Sequence, residues 1–245
     1  MITLVKGGVY NGWKFIVTAC LRSCTGSIYV PLSPRLSALA DMVSPSYTDI
    51  WDCCCDHGYL GETLLMRHHQ ARLNFIDQVP ELIERLRLRL GALAEIQGRW
   101  SAHCLDLKLL SLPSENPRPL MIIAGVGGDL VVELVEALLQ QNPEHSIDLL
   151  LCPVRQNYWV RQEMSRLGFG LLAERIVQDK ERFYEVIHLS ACSNKPISTT
   201  GNEMWNFDQP DHRRYLEITL AHYERQGRGG TRLAQRALKD YQNLR

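Results

Sequence analysis

Between Tyr47 and Gly168, short apolar runs alternate with longer segments of helical spacing, and that alternation limits the chain to few folds. "TDIWDCC", "ARLNFID", "WSAHCLD", "PLMIIAGVG" and "IDLLLCPV" read as strands. "GYLGETLLMRHH", "VPELIERLRLRLGALAEI", "DLVVELVEALLQQ" and "NYWVRQEMSRLG" read as helices, the last stopping at Gly168. Strands that are apolar on both faces imply a mostly parallel sheet with helices packed on each side. "FGLLAERIVQ" and "RFYEVIHLSA" are separated only by "DKE" and predict an antiparallel hairpin at one edge. The expected fold class is therefore α/β: a doubly wound Rossmann-like sheet with one antiparallel edge strand, the layout of a class I methyltransferase.

Three regions are expected. Residues 1–30 have poor periodicity and form an N-terminal extension; 31–192 form the α/β domain; 193–245 form a linker and a C-terminal helical hairpin. The domain opens with a helix in "PLSPRLSALADMV", where Ser33 is an N-cap and Pro34 takes the first helical position. "SNKPISTTGN" reads as a polar linker, and the two helices after it turn around Gly227, Gly229 and Gly230.

Charge and cysteine usage narrow the function classes. The net charge is zero, which argues against a protein that coats nucleic acid over its whole surface, although both ends lean basic. No stretch approaches the ~18 uninterrupted apolar residues of a membrane-spanning helix. The eight cysteines, without a recognisable secretory signal, read as reduced thiols of a cytoplasmic protein. Nothing in the sequence calls for an obligate protein partner.

The candidate site begins at "IWDCCCDHGYLG". Asp52 ends the first expected strand and Gly58 opens the next helix, so the intervening turn lies at the carboxyl edge of the sheet, where such folds bind ligands. Asp77, with Gln78 beside it, ends the second strand 19 residues after Gly58, the spacing at which a carboxylate meets ribose hydroxyls. Its alternative role is to cap the helix that begins at Pro80. Asp106 ends the third expected strand, placed to accept from an exocyclic amine. A turn bracketed by Asp52 and Asp56 opposes a pyrophosphate but attracts a cation, which favours S-adenosylmethionine over a dinucleotide. Cys53, Cys54 and Cys55 are expected to be compact filler, since successive side chains of a strand point to opposite faces. Zinc held by Cys53, Cys55 and His57 is the alternative, but no second ligand pair follows at suitable spacing; no metal is expected.

"DCCCDHGYL", "IIAGVGG" and "FYEVI", with "LLLCPVRQNYWVRQEMSRLGF" between the last two, resemble the bacterial tRNA (adenine-22-N1)-methyltransferases over about Arg35 to Ala191. Asp56 to Leu60 match that family's Asp-His-Ala-Tyr-Leu string, and Ala124 to Gly128 match Ala-Gly-Met-Gly-Gly with Val126 in place of methionine. Cys54 stands where the family has glycine, and Cys152, Pro153 and Val154 stand where it has Gln-Pro-Asn. The resemblance implies S-adenosylmethionine as cofactor, tRNA as substrate, and methyl transfer to N1 of an adenine. That nitrogen carries a free lone pair, so alignment and exclusion of water matter more than a strong base. Asp56 would stabilise the cationic product, and His57 is either a proton carrier or a structural donor. Gly125, Val126 and Gly127 would lie beside the cofactor. Tyr158 and Trp159 would stack an extruded base, with Arg35 and Pro153 also at the substrate. Arg213 and Arg214, interleaved with Tyr215, Tyr223 and Tyr241, would form an RNA surface. Other readings are a methyltransferase for a small molecule or protein, and a non-catalytic RNA-binding module whose cofactor turn is spoiled by Cys54.

Overall fold

Strands that must be apolar on both faces need two helical layers, and the computed structural model, which describes residues 31–114 and 118–244, supplies them. The extension expected over residues 1–30 lies outside the described residues. The elements are α1 (Pro34–Met42), β1 (Asp49–Cys53), α2 (Tyr59–Arg67), β2 (Arg72–Asp77), α3 (Pro80–Gly91), β3 (Trp100–Cys104), β4 (Leu120–Ala124), α4 (Gly128–Gln141), β5 (Asp148–Cys152) and α5 (Asn157–Arg166). They are followed by β6 (Gly170–Asp179), β7 (Arg182–Ser190), α6 (Pro210–Arg228) and α7 (Arg232–Gln242). Ser33 does cap α1, its hydroxyl accepting from the Leu36 N–H.

The strands form one seven-stranded sheet in the order β3-β2-β1-β4-β5-β7-β6. The first five in that order are parallel, and the β6–β7 hairpin closes one side, with reversed β7 paired to β5 and β6 at the rim. Asp179 pairs with Arg182 across a turn of Lys180 and Glu181, where Lys180 has φ of +57°. Alternate residues of each central strand enter separate cores. Trp51, Ile76, Met121, Ile123, Leu149 and Leu151 pack against α4 and α5, while Ile50, Phe75, Ile122 and Leu150 pack against α1, α2 and α3.

Two strand ends differ from expectation. β1 continues one residue past Asp52, and β3 stops at Cys104, leaving Asp106 to accept from the Lys108 N–H and cap a short 3-10 turn. An aspartate whose side chain bonds a nearby backbone N–H favours such a turn over a further strand residue.

The segment read as a polar linker is packed into the domain. Its Lys195 carbonyl accepts from the Leu171 N–H, Ile197 and Met204 are buried, and Glu203 donates its N–H to Glu174. The anchor is Arg161 of α5, fully buried, which pairs with Glu174 of β6 at 2.5 Å and Glu185 of β7 at 2.8 Å. Its guanidinium also donates to the Ser198 carbonyl, and Glu185 accepts from the Tyr215 hydroxyl of α6 at 2.8 Å. One cation thus joins the hairpin, the connecting segment and the C-terminal helices.

The tyrosines of those helices point inward, which corrects the reading of an aromatic RNA surface. Tyr215, Tyr223 and Tyr241 are buried, and α6 and α7 fold back on each other with Tyr223 stacked on Tyr241. At helical spacing an aromatic ring gains more from burial than from exposure, so its partner helix claims it. Replacing Arg161 by leucine strands two buried carboxylates and should lower the unfolding free energy by about 3–5 kcal/mol in a denaturant titration. A loss below about 1 kcal/mol, the range of an exposed pair, would show that the cluster is not the anchor.

Candidate active site

The turn after β1 is bent by three residues in the left-handed region, Cys54 (φ +57°), Asp56 (φ +51°) and Gly58 (φ +70°). Carboxylates hold that shape. Asp52 Oδ2 accepts from the Gly61 N–H at 3.1 Å, and Asp77 accepts from the Asp56 N–H through one oxygen and the Val79 N–H through the other, each at 3.0 Å. Asp77 therefore braces the start of α3 as well as the turn, and each of its oxygens keeps a lone pair for a ligand. Gly61 is required by close approach: a Cβ there would lie 2.2 Å from the Phe75 ring and 3.0 Å from Asp52 Oδ2.

Two cavities open along this edge. One, of about 250 Å³, is lined by Asp77, Gln78 and Asp106 together with Ile76, Leu105 and Leu130. The other, of about 330 Å³, is lined by Arg35, Asp52, Asp56, His57, Gly58 and Gly125. Cys54 and Val126 line both, so they form the boundary over which an elongated ligand would pass. Asp77 and Asp106 share the first cavity and Asp52 lies in the second.

Burial dominates the electrostatics. It pushes the Asp52 carboxyl up to about 7, the Gly61 N–H opposing this and the Asp77 charge adding to it. Burial also raises the thiols: Cys54 to about 11, and Cys53 and Cys55 further. Cys53 packs in the core beneath α4 and Cys55 in the core beneath α2, as the alternation along a strand requires. Among the described residues, no three histidine, cysteine or acidic side chains group as a metal site.

His57 pairs with the Asp56 carboxylate at 2.6 Å and stacks on Tyr59. Arg89, which no sequence signal marked, holds this corner. Its guanidinium pairs with Glu62 at 2.8 Å, lies 4.9 Å from the Tyr59 ring centroid and donates to the His57 carbonyl. Across the opening, Arg35 lies over the Tyr184 ring and reaches toward Gly125, while Arg155 lies against Gly127. Arg155 was also missed, although it follows Pro153 at the carboxyl end of β5.

The remaining expected residues divide. Trp159 is half-buried beside a third cavity, bounded by Asp129, Gln156 and α6. Tyr158 is fully buried, packs against Tyr223 and Tyr241, and donates to Asp240 at 2.6 Å. It anchors α7 and has no face free to stack a base, which corrects that expectation. Pro153 is buried at the end of β5 and lines neither acidic cavity. Arg213 and Arg214 are exposed on α6 away from all three cavities, and Arg213 donates to the Phe207 carbonyl.

A seven-stranded sheet with a reversed penultimate strand, and ligand-sized cavities at the carboxyl edge, defines the class I methyltransferase architecture. A family model described as a methyltransferase domain matches residues 32–187, and the chain belongs to that family. No curated protein sequence matches it. Solved structures share the fold at low identity. The Streptococcus pneumoniae protein Sp1610 in complex with S-adenosyl-L-methionine aligns with a TM-score of 0.69 and 18% identity over 87% of this chain and 99% of that one. The B. subtilis M1A22 tRNA methyltransferase TrmK aligns with a TM-score of 0.63 and 19% identity, over 87% and 95%. M. capricolum TrmK in complex with S-adenosyl-homocysteine aligns with a TM-score of 0.67 and 16% identity, over 87% and 94%. No helix among the described residues is long and apolar enough to cross a membrane.

A raised Asp52 value has a defined sign. The folded state keeps the proton that the unfolded chain loses near pH 4, so the Asp52 contribution to stability should fall as pH rises from about 4 to about 7 and level off above. Asp52→Asn should flatten that slope in unfolding titrations at several pH values. An unchanged slope would contradict the assignment.

Proposed function

We propose that the chain is an S-adenosylmethionine-dependent methyltransferase that acts on N1 of an adenine in tRNA, in the cytoplasm. The observation that carries the cofactor half is the set of carboxylates around two adjoining cavities: Asp77 and Asp106 at one, Asp52 and Asp56 at the other. Those acceptor sets fit a nucleoside joined to a cationic amino acid. Asp77 would accept the ribose hydroxyls, with Gln78 beside it, and Asp106 the adenine amine. Asp52, below the turn, would face the positive end. When bound, the cofactor supplies an electrophilic methyl group on a sulfonium.

The protein's own residues do the rest by placement. Arg89 fixes the corner that carries Asp56 and His57, so their side chains face the second cavity from a rigid turn. Adenine N1 would donate its own lone pair to the cofactor's methyl carbon while the carbon–sulfur bond breaks and its electron pair stays on sulfur as a neutral thioether, so the positive charge passes to the adenine ring. The exposed Asp56 carboxylate, bonded to His57, is placed to stabilise that charge. Gly125, with φ of +83°, leaves the backbone bare where a flat base approaches.

The RNA half of the reading rests on the resemblance of the motif strings and on the neighbours named for tRNA methylation. It is supported by the C-terminal helices, whose tyrosines are inward and whose arginines, Arg213, Arg214, Arg225, Arg228, Arg232 and Arg236, are exposed. Helices that closed over the acidic cavities would have favoured a small-molecule substrate, but no residue of α6 or α7 lines either.

The test is to incubate the full chain with tRNA and S-adenosylmethionine and to analyse the digested nucleosides by mass spectrometry. The reading predicts new 1-methyladenosine, and Asp77→Ala should weaken cofactor affinity by roughly tenfold or more. A methyl group found on any other position would overturn the adenine-N1 assignment while leaving the cofactor assignment standing.

A further inference from the structure

A third cavity, of about 480 Å³, lies between the start of α4, the first turn of α5 and the C-terminal helices. It is more apolar than the acidic pair, with Trp159, Tyr223 and Leu233 among its walls, His222 on one side, and side-chain amides of Gln156 and Gln226 at its edges. Resting on the reading above, we propose that this cavity receives a second nucleobase of the substrate RNA, one near the methylated adenine but not itself modified.

Three features point to a base. A nucleobase has two apolar faces and a hydrogen-bonding rim, and here an indole and an imidazole offer surfaces for stacking while the Gln226 amide offers both a donor and an acceptor. Partial burial and the nearby Arg225 charge lower the His222 pKa below its usual level, which favours the neutral ring that stacks without an added charge to desolvate. Exposed Arg225, Arg228 and Arg232 flank the lining residues Gln226 and Thr231 along the chain, which suits the phosphates either side of a bound base.

The position also suits a neighbouring nucleotide. Gln156, in the left-handed region at φ +66°, donates to Asp129 at 2.6 Å and packs so tightly against Gly128 that a Cβ there would sit 2.8 Å from it. This junction forms one wall of the third cavity. It continues directly into Val126, which borders both acidic cavities and accepts from the Val154 N–H at 2.9 Å. A base in the third cavity and an acceptor base at the second would therefore lie on either side of one rigid turn. Such a subsite would let the enzyme choose among adenines by what stands next to them.

The experiment measures binding of fluorescently labelled tRNA to the full chain over a range of salt concentrations, with 1-methyladenosine formation read in parallel. The variants are His222→Ala, which removes a stacking surface, and Leu233→Trp, which fills the cavity from an exposed position without changing charge. Each should weaken tRNA affinity by roughly tenfold. Thermal midpoint, cofactor affinity and the slope of log Kd against log salt should stay as in the wild type, because no phosphate contact is removed. Wild-type affinity in both variants would overturn the proposal, and so would a loss accompanied by a shallower salt slope. Weakened binding with no 1-methyladenosine from the wild type would keep the subsite and remove the adenine-N1 reading. Unaltered binding with normal product would do the reverse.

Discussion

The turn after β1 is fastened by carboxylates that also line the two acidic cavities. Asp52 holds the Gly61 N–H from below, and Asp77 ties the turn to β2 and the start of α3. Two of the acids offered to a ligand are therefore fixed before any ligand arrives, which reduces the ordering cost of binding. The arrangement carries a penalty of its own: Asp52 is buried with one hydrogen bond, so it prefers its proton at a pH where an exposed carboxyl would be ionised. A cation entering the second cavity relieves that penalty, whereas a pyrophosphate would deepen it. On the proposed function, cofactor choice would thus follow from the carboxylates that the turn holds in place.

The thiols make sense within that geometry. Cys53 and Cys55 fill opposite cores and border the second cavity alone, whereas Cys54 lines both cavities at their boundary. A Cβ in the left-handed region costs about 1 kcal/mol relative to glycine, a strain the anchored turn can bear. With its thiol held well above the normal range, Cys54 is an uncharged wall and not a nucleophile. The C-terminal helices stand apart from this edge, joined to the sheet through Arg161 and its two glutamates, and line the third cavity.

What the sequence made legible was whatever depends on local period and spacing. Alternating apolar runs gave the layers, "DKE" gave the hairpin, and the interval from Gly58 to Asp77 gave the edge at which the two acidic cavities open. Roles decided by a partner far along the chain stayed hidden. Tyr158 looks like a stacking residue until Asp240 takes its hydroxyl, and "SNKPISTTGN" looks like a free linker until Arg161 binds its Ser198 carbonyl. Arg89 is one arginine of an amphipathic helix, and only the packing of α3 on α2 brings it to Glu62 and His57. Asp106 fell between the two kinds: its place at the cavity was readable, but its role as a cap depended on where β3 stopped.

The most direct measurement of the central claim is calorimetric titration of the full chain with S-adenosylmethionine and, in parallel, with NAD. Saturable binding of the sulfonium compound at one site per chain, with no measurable binding of the dinucleotide, is the result expected of cavities ringed by carboxylates. A folded chain that took up NAD as tightly, or that ignored S-adenosylmethionine altogether, would contradict the account.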